Sequence, residues 1–321
     1  MAKVQVRRDG DDGLAVRAAW LHYAAGMTQA EVAQRLGLSS AKAHRLIAWA
    51  YQNGVVRVSV SGPVAECVTL ETAISERFGL GYCEVVPDLH EDGLPLRALG
   101  LAGADFLQRE IEALGSGVVG VGHGRTLAAA VASLPRLEAP DVRFVSLMGG
   151  LTRNYAANPH DVMYRLAEKT SAAAYVMPIP FFANTVGDRA VLLDQRGVGE
   201  VFELAVRSDL MVVGIGTAKP DTQLVSTRMI LPEEIEDVRA SGGVGELLGH
   251  FFDADGQPVE TLLTARTISP EVTHLRGRRI VALAGGPNKV EGVRSVLRSG
   301  LLTGLVTDER TARALANETT P

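Results

Sequence analysis

Gly117-Val-Val-Gly-Val-Gly122-His-Gly124-Arg125-Thr126-Leu127-Ala-Ala-Ala-Val131 sets a short apolar run, a glycine-rich turn and an alanine-rich segment in direct succession. The run has no polar alternation, which is the pattern of a strand covered on both faces. The turn leads straight into a helix start, so free amides and the positive end of the helix dipole point at whatever occupies it. That is a cradle for an anion or a polar oxygen. It is not a full dinucleotide fingerprint, because Leu127 stands where G-x-G-x-x-G requires its third glycine. No G-x-x-x-x-G-K-[ST] occurs either. Nucleotide cofactors and NTP hydrolysis are therefore disfavoured, no cofactor is expected, and a smaller anion such as a sugar phosphate suits the turn.

Working outward, the same unit repeats. Candidate strands lie at 83–86, 142–147, 174–177, 210–215, 279–283 and 302–306. Helical stretches are read at 64–78, 96–114, 125–134, 161–171, 199–206, 232–240, 290–298 and 309–316. Strands alternating with helices specify a doubly wound α/β domain. Three more strand ends carry small residues followed by polar or cationic ones: Gly149-Gly150-Leu-Thr-Arg153, Gly214-Ile-Gly216-Thr217 and Gly285-Gly-Pro-Asn-Lys289. Ligands of open α/β sheets bind outside the C-terminal strand ends, so all four loops are expected to meet at one pocket. Arg153 would bring a guanidinium fork and Lys289 a point charge. For any one loop, a turn forced by backbone geometry explains the glycines equally well; their common placement carries the argument.

Ahead of this domain the pattern is purely helical. Leu14, Ala18, Leu21 and Ala25 recur at helical spacing, with Val16, Trp20 and Tyr23 widening the apolar stripe, and Gly26 stops the run. Thr28-Gln-Ala-Glu31 is a capping box that starts a second helix. Gly37 ends that helix, and Ser39-Ser40 caps a third at about 41–52. Met27 to Ile47 thus has the layout of a helix-turn-helix, with Val32, Leu36, Leu38, Leu46 and Ile47 as its apolar seam. The start of the third helix would offer Ser39, Ser40, Lys42, His44 and Arg45 to base edges and phosphates, while Thr28 and Gln29 anchor to the backbone. A helical hairpin used for packing or dimerisation is the bland alternative, and an interaction adaptor whose hairpin docks a partner is a third reading. Residues 55–60 alternate as a short strand, and Gly62-Pro63 marks a boundary between domains at 1–62 and 63–321.

Composition agrees with two globular domains. The 321 residues are 46% hydrophobic and 21% charged, and only 5% are aromatic against 34 glycines, which predicts packing of small residues. Residues 1–61 hold eight Lys/Arg and four acids, net +4, whereas 62–321 hold 24 and 33, net −9. A basic tip on an acidic remainder suits a protein in which only the tip meets a polyanion. Cys67 and Cys83 cannot form a disulfide framework and read as buried residues of a reducing compartment. No signal peptide and no membrane-spanning run is read, so the expected location is cytoplasmic. Asp209, Glu246, Asp253 and Asp308 are candidates for hydroxyl recognition. Nothing pairs them for acid–base work, and G-x-S-x-G and H-E-x-x-H are absent. The seven histidines show no ligand spacing, so no metal is expected.

In Thr28-Gln-Ala-Glu-Val-Ala and Leu36-Gly-Leu-Ser39, in Arg45-Leu-Ile and Asn53-Gly-Val-Val, the chain resembles the SorC family of sugar-responsive transcriptional regulators, grouped with DeoR-type regulators. The resemblance continues in Val121-Gly-His-Gly-Arg-Thr126, Leu147-Met-Gly-Gly150, Val213-Gly-Ile-Gly216, Gly245-Glu-Leu-Leu-Gly-His-Phe-Phe-Asp253 and Gly285-Gly-Pro-Asn-Lys289, and so covers nearly the whole chain. It implies a winged-helix-like DNA-binding domain followed by a domain similar to sugar-phosphate isomerases and deaminases, retained as a sensor. It implies effector contacts at Gly122, Gly124, Arg125, Thr126, Gly149, Gly150, Arg153, Arg228, Glu246 and Lys289. The implied protein is a homodimer or homotetramer that binds duplex operator DNA and a sugar, polyol or sugar phosphate. The rival expectation is a sugar-phosphate isomerase or deaminase-like enzyme carrying an accessory helical domain.

Overall fold

A computed structural model describes residues 5–56, 64–150 and 162–317. The chain divides into two compact units, Met1–Gly62 and Pro63–Pro321. Arg153, residues 57–60 of the expected short strand, and the Gly62-Pro63 boundary pair itself lie outside the described residues.

In the first unit, helix α1 (Gln5–Ala19) runs into a five-residue π-turn, Trp20–Ala24, and ends at Gly26 with φ 70°. Helix α2 (Gln29–Leu36) begins with the expected capping box: Thr28 Oγ1 accepts from the Glu31 amide at 3.3 Å and Glu31 Oε2 accepts from the Thr28 amide at 2.7 Å. Gly37 closes α2 in the left-handed conformation that glycine adopts without steric cost, φ 64°, and helix α3 (Ser40–Gln52) follows with Ser39 as its cap. Ala15, Ala18, Ala19, Val32, Ala33, Ala43, Leu46, Ile47 and Ala50 form the small core. Alanines on α1 and α3 allow these helices to pack closely. One expectation needs correction: Val16, Trp20 and Tyr23 do not widen the buried stripe, because α1 buries only its alanine face. They are 47, 62 and 47% exposed.

The second unit is a mixed α/β structure built on a parallel sheet. Its strands, in chain order, are β1 (Tyr82–Val86), β2 (Gly117–Val121), β3 (Val142–Gly150), β4 (Ala173–Pro180), β5 (Leu210–Val213), β6 (Gly216–Thr217), β7 (Gly245–Leu247), β8 (His250–Phe252), β9 (Pro258–Val259), β10 (Ile280–Leu283) and β11 (Gly304–Asp308). Seven of them form a sheet in the order β1-β11-β10-β5-β2-β3-β4, with parallel pairings throughout. Met211 and Val213 of β5 enter one apolar layer while Leu210 and Val212 enter the other, which is why the sequence shows no polar alternation. Helices α4 (Val64–Phe78), α5 (Leu96–Leu114) and α6 (Arg125–Ser133) follow the periodicity read from the sequence. Gly103 lets α5 press against α6, since a Cβ there would lie 2.8 Å from both Ala130 Cβ and Leu283 Cδ1.

From β2 the chain passes to β3 and β4 on one side and then returns to place β5 on the other. The gap beyond the C-terminal ends of β2 and β5 is therefore the topological switch point, where open α/β sheets hold their ligands. The remaining four strands form a small antiparallel sheet, β6-β7-β8-β9, beside that opening. It is absent from the expectations above, as is the helix Val186–Leu193, none of whose residues is buried. Among the described residues, no helix is long and apolar enough to cross a membrane.

Candidate functional site

A cavity of about 490 Å³ opens at the switch point. Its wall includes Gly124, Arg125, Thr126 and Leu127 from the loop after β2, Gly214 to Thr217 after β5, and Asn288 and Lys289 after β10. Three of the four glycine-rich loops thus meet. Gly149 and Gly150 do not line the cavity as expected: β3 continues through Gly150, Phe181 donates its amide to Gly150 O at 3.1 Å, and a Cβ on Gly149 would collide with Pro180 O. Gly149 and Gly150 serve the β3–β4 crossing, and from β3 only Met148 reaches the wall.

Gly124 caps α6 with φ 133°, and its carbonyl accepts the first helical bond from Ala128 N at 2.9 Å. The amides of Arg125, Thr126 and Leu127 therefore have no acceptor inside α6 and stand at the cavity with the positive helix end. Gly122 lies behind the wall, donating to Val212 O at 2.9 Å. His123 does line the cavity, with Nε2 3.3 Å from the buried Ser146 hydroxyl.

Glu246 on β7 faces the same space. Its Oε1 accepts from the Gly249 amide at 2.6 Å, and the carboxylate fills the volume that any side chain on Gly216 would need. The β7–β8 hairpin turns on Leu248 and Gly249, both left-handed at φ 52° and 80°. For a leucine this conformation costs roughly 1–2 kcal/mol. It is held by Glu246 at one amide and by Ser269 Oγ, which donates to Leu248 O at 2.7 Å. The strained Leu248 is thereby fixed in the cavity wall. Lys289 Nζ donates to Ile215 O at 2.6 Å, tying the loops after β5 and β10 together. Lys219 Nζ adds a second tie to Asn288 O at 3.2 Å.

Burial sets the electrostatics. It raises the Glu246 carboxyl above the ordinary 4.5, against the opposing effects of the Gly249 amide, the Lys289 ammonium and the Gly216 amide. It lowers the Lys289 ammonium below 10.5, Glu246 opposing and Arg125 reinforcing. The cavity thus has an amide-rich, cationic side that suits an anion and a carboxylate that suits hydroxyl groups. Phe181, Met148 and Leu248 supply apolar surface for carbon chains.

The other predicted positions sort plainly. Arg228 is exposed, left-handed at φ 58°, and not part of the cavity wall; it turns the chain after the short helix Gln223–Ser226. Asp209 accepts from the Val118 amide at 2.8 Å, Asp253 closes a turn through the Asp255 and Gln257 amides, and Asp308 accepts from the Gly286 and Thr311 amides. All three carboxylates are structural. Sequence reasoning missed Lys219, Asp221, Thr222 and Gln223, which line the cavity from a stretch without any periodic signal. Among the described residues, no group of three or more His, Cys, Asp or Glu could hold a metal ion.

On the first unit, Thr28, Ser39, Ser40, His44 and Arg45 are exposed and Gln29 and Lys42 half-buried at the starts of α2 and α3. Gln29 Oε1 lies 3.0 Å from His44 Nδ1, joining the two helix starts, and Ser39 Oγ accepts from the Lys42 amide at 3.3 Å.

Residues 62–317 match the family model described as "Putative sugar-binding domain". The chain is 60% identical over 310 residues to the erythritol catabolism regulatory protein EryD of Brucella abortus, covering 97% of this chain and 98% of that protein. It is 31% identical to the transcriptional regulator LsrR of an Enterobacter species, covering 95% and 93%. The full-length sorbitol operon regulator SorC from Klebsiella pneumoniae superimposes with a TM-score of 0.70 at 26% identity, over 96% of this chain and all of that one.

Proposed function

The chain belongs to the SorC family of sugar-binding transcriptional regulators, and from that premise we propose how its two units divide the work. Residues 1–62 form a winged-helix-like DNA-binding domain in which α2 and α3 are the helix-turn-helix. Arg45, Lys42 and His44 reach base edges and phosphates from α3, while Ser39, Ser40, Thr28 and Gln29 contact the backbone through amides and hydroxyls at the helix starts. Residues 63–321 form an effector domain of the isomerase and deaminase type. Its ligand lies against Gly124, Arg125, Thr126, Glu246 and Lys289. The protein acts in the cytoplasm as a homodimer or homotetramer on a carbohydrate or polyol operon.

One observation carries the effector assignment: a single cavity at the switch point joins the free amides of α6 to Glu246 and Lys289. Together with the likeness to an erythritol catabolism regulator, this makes a short linear polyol or its phosphate ester the effector. Hydroxyls pair with Glu246 and Lys289, and a phosphate, where present, takes the amides of Arg125 and Thr126. The family and the relatives are regulators rather than enzymes, so binding itself is the output.

Thermal unfolding and calorimetry with erythritol, erythritol phosphate and other polyols test the assignment. A true effector at a hundredfold excess over its Kd stabilises the fold by about 2.7 kcal/mol. Binding that survives unchanged in both Glu246→Gln and Lys289→Met would place the ligand elsewhere.

A further inference from the structure

Leu248 stands in a backbone conformation that suits glycine. Its φ is 52°, in the left-handed region that glycine enters without steric cost and a leucine does not. The surroundings hold it there from several directions. Ser269 Oγ donates to Leu248 O at 2.7 Å and lies 3.3 Å from His250 Nε2, which is itself 2.9 Å from Pro270 O. On the other side Gly249 has no room for a side chain, because a Cβ there would lie 2.5 Å from Thr267 Cγ2 and 2.7 Å from Phe181 Cζ. Backbone strain fixed this firmly is found where a site needs one side chain in one direction.

Packing alone would explain a buried leucine, but the place its end reaches says more. Leu248 belongs to the cavity wall, and its Cδ2 lies 3.5 Å from where a Cβ on Gly122 would stand. Gly122 opens the turn that leads to the free amides of Arg125 and Thr126, while Leu248 itself rides on the hairpin that carries Glu246. One apolar side chain therefore connects the amide-rich part of the wall to the carboxylate. We infer that Leu248 sets the length of ligand the cavity accepts: its isobutyl group fills the space that the extra carbons of a six-carbon polyol require, and leaves a four-carbon chain in contact with both polar parts. The inference rests on the reading of the cavity as a polyol site. It gives Leu248 a part in selecting among polyols, not in holding any one hydroxyl or phosphate.

Calorimetry on the full-length chain with erythritol and sorbitol, each also as its phosphate ester, tests this. Within the pair that binds, the wild type is expected to prefer the four-carbon member by about tenfold or more, the effect that a carbon or two of misfit has in an apolar pocket. Leu248→Ala opens the wall, so the short ligand weakens, the long one gains, and the ratio of the two Kd values shifts about tenfold or more toward the longer. Leu248→Met keeps the volume nearly constant and is the variant to use where Leu248→Ala does not fold; its longer, unbranched end should shift the ratio toward the shorter ligand. A variant that weakens both ligands alike, as expected of a leucine needed only for packing, overturns the proposal. So does a wild type with no preference. Failure of the underlying reading looks different: binding of none of the four ligands, or binding unchanged in both Glu246→Gln and Lys289→Met, puts the ligand outside the cavity and withdraws both. Loss of binding in those two variants with an unmoved ratio at Leu248 withdraws the inference alone.

Discussion

Glu246 holds a carboxyl where burial opposes its charge, and this has a sign that can be measured. Its proton is held more tightly in the folded chain than in the unfolded one, so its contribution to stability falls as pH rises above 4.5. Glu246→Gln keeps an oxygen for the Gly249 amide and loses the charge. It should therefore melt above the wild type at pH 8 in the absence of effector, with the difference shrinking toward pH 4.5, while effector affinity falls at least tenfold. A difference independent of pH would contradict the assignment. At the face proposed to read DNA, Arg45→Ala should weaken operator binding by about 1–3 kcal/mol, the worth of a good base contact, and leave effector binding intact in calorimetry. Glu246, Lys289, Arg125 and Thr126 were legible because each sits beside a glycine turn or in a family string. Lys219 and Gln223 were not, because only tertiary folding brings that irregular stretch to the cavity. Arg228 fails for a related reason: its left-handed backbone serves a turn, and a cation beside a cavity-lining residue need not face the cavity.

Caps and glycine turns carry the fold at the scale of elements. Asp308 accepts from the Thr311 amide at 3.0 Å, capping the helix Glu309–Ala316, and from the Gly286 amide at 2.8 Å, which fixes the loop that presents Lys289. Asp308→Ala takes the acceptor from the buried amide and hydroxyl of Thr311, while the Gly286 amide keeps Thr311 Oγ1 at 2.8 Å, and should cost about 1–3 kcal/mol for each donor left unpaired. Calorimetric unfolding checks this, and a second readout is weaker effector binding through the loosened loop. The capping box at Thr28 and the Gly37 stop were visible in the sequence because both act within a few residues. The antiparallel β6–β9 sheet was not, since strands of two or three residues are too short to display alternation. The helix Val186–Leu193 escaped because none of its residues is buried, and burial is what gives a helix its periodic signature. β3 was read as ending at residue 147, yet it runs to Gly150 because β4 pairs with it beyond that point. That extension pairs Gly149 and Gly150 with β4 and keeps them out of the cavity wall.

Across the whole molecule, a net +4 on residues 1–61 against −9 on the remainder predicts that operator affinity, carried by phosphate contacts of the first unit, falls by at least about tenfold between 50 and 200 mM salt. A flat salt dependence would argue against DNA as the polyanion. The alternation of strands and helices made the parallel sheet legible, and the switch point then located the cavity; how ligand occupancy alters DNA affinity lay beyond any pattern in the sequence. That link requires the ligand to bind two states of the protein unequally. The most direct measurement is fluorescence anisotropy of a labelled operator titrated with the full-length chain, with and without saturating erythritol or its phosphate, for wild type and Glu246→Gln. The account predicts a change in operator Kd of about fivefold or more for the wild type and none for the variant. An unchanged wild-type Kd, with the ligand shown by calorimetry to occupy the cavity, would contradict it.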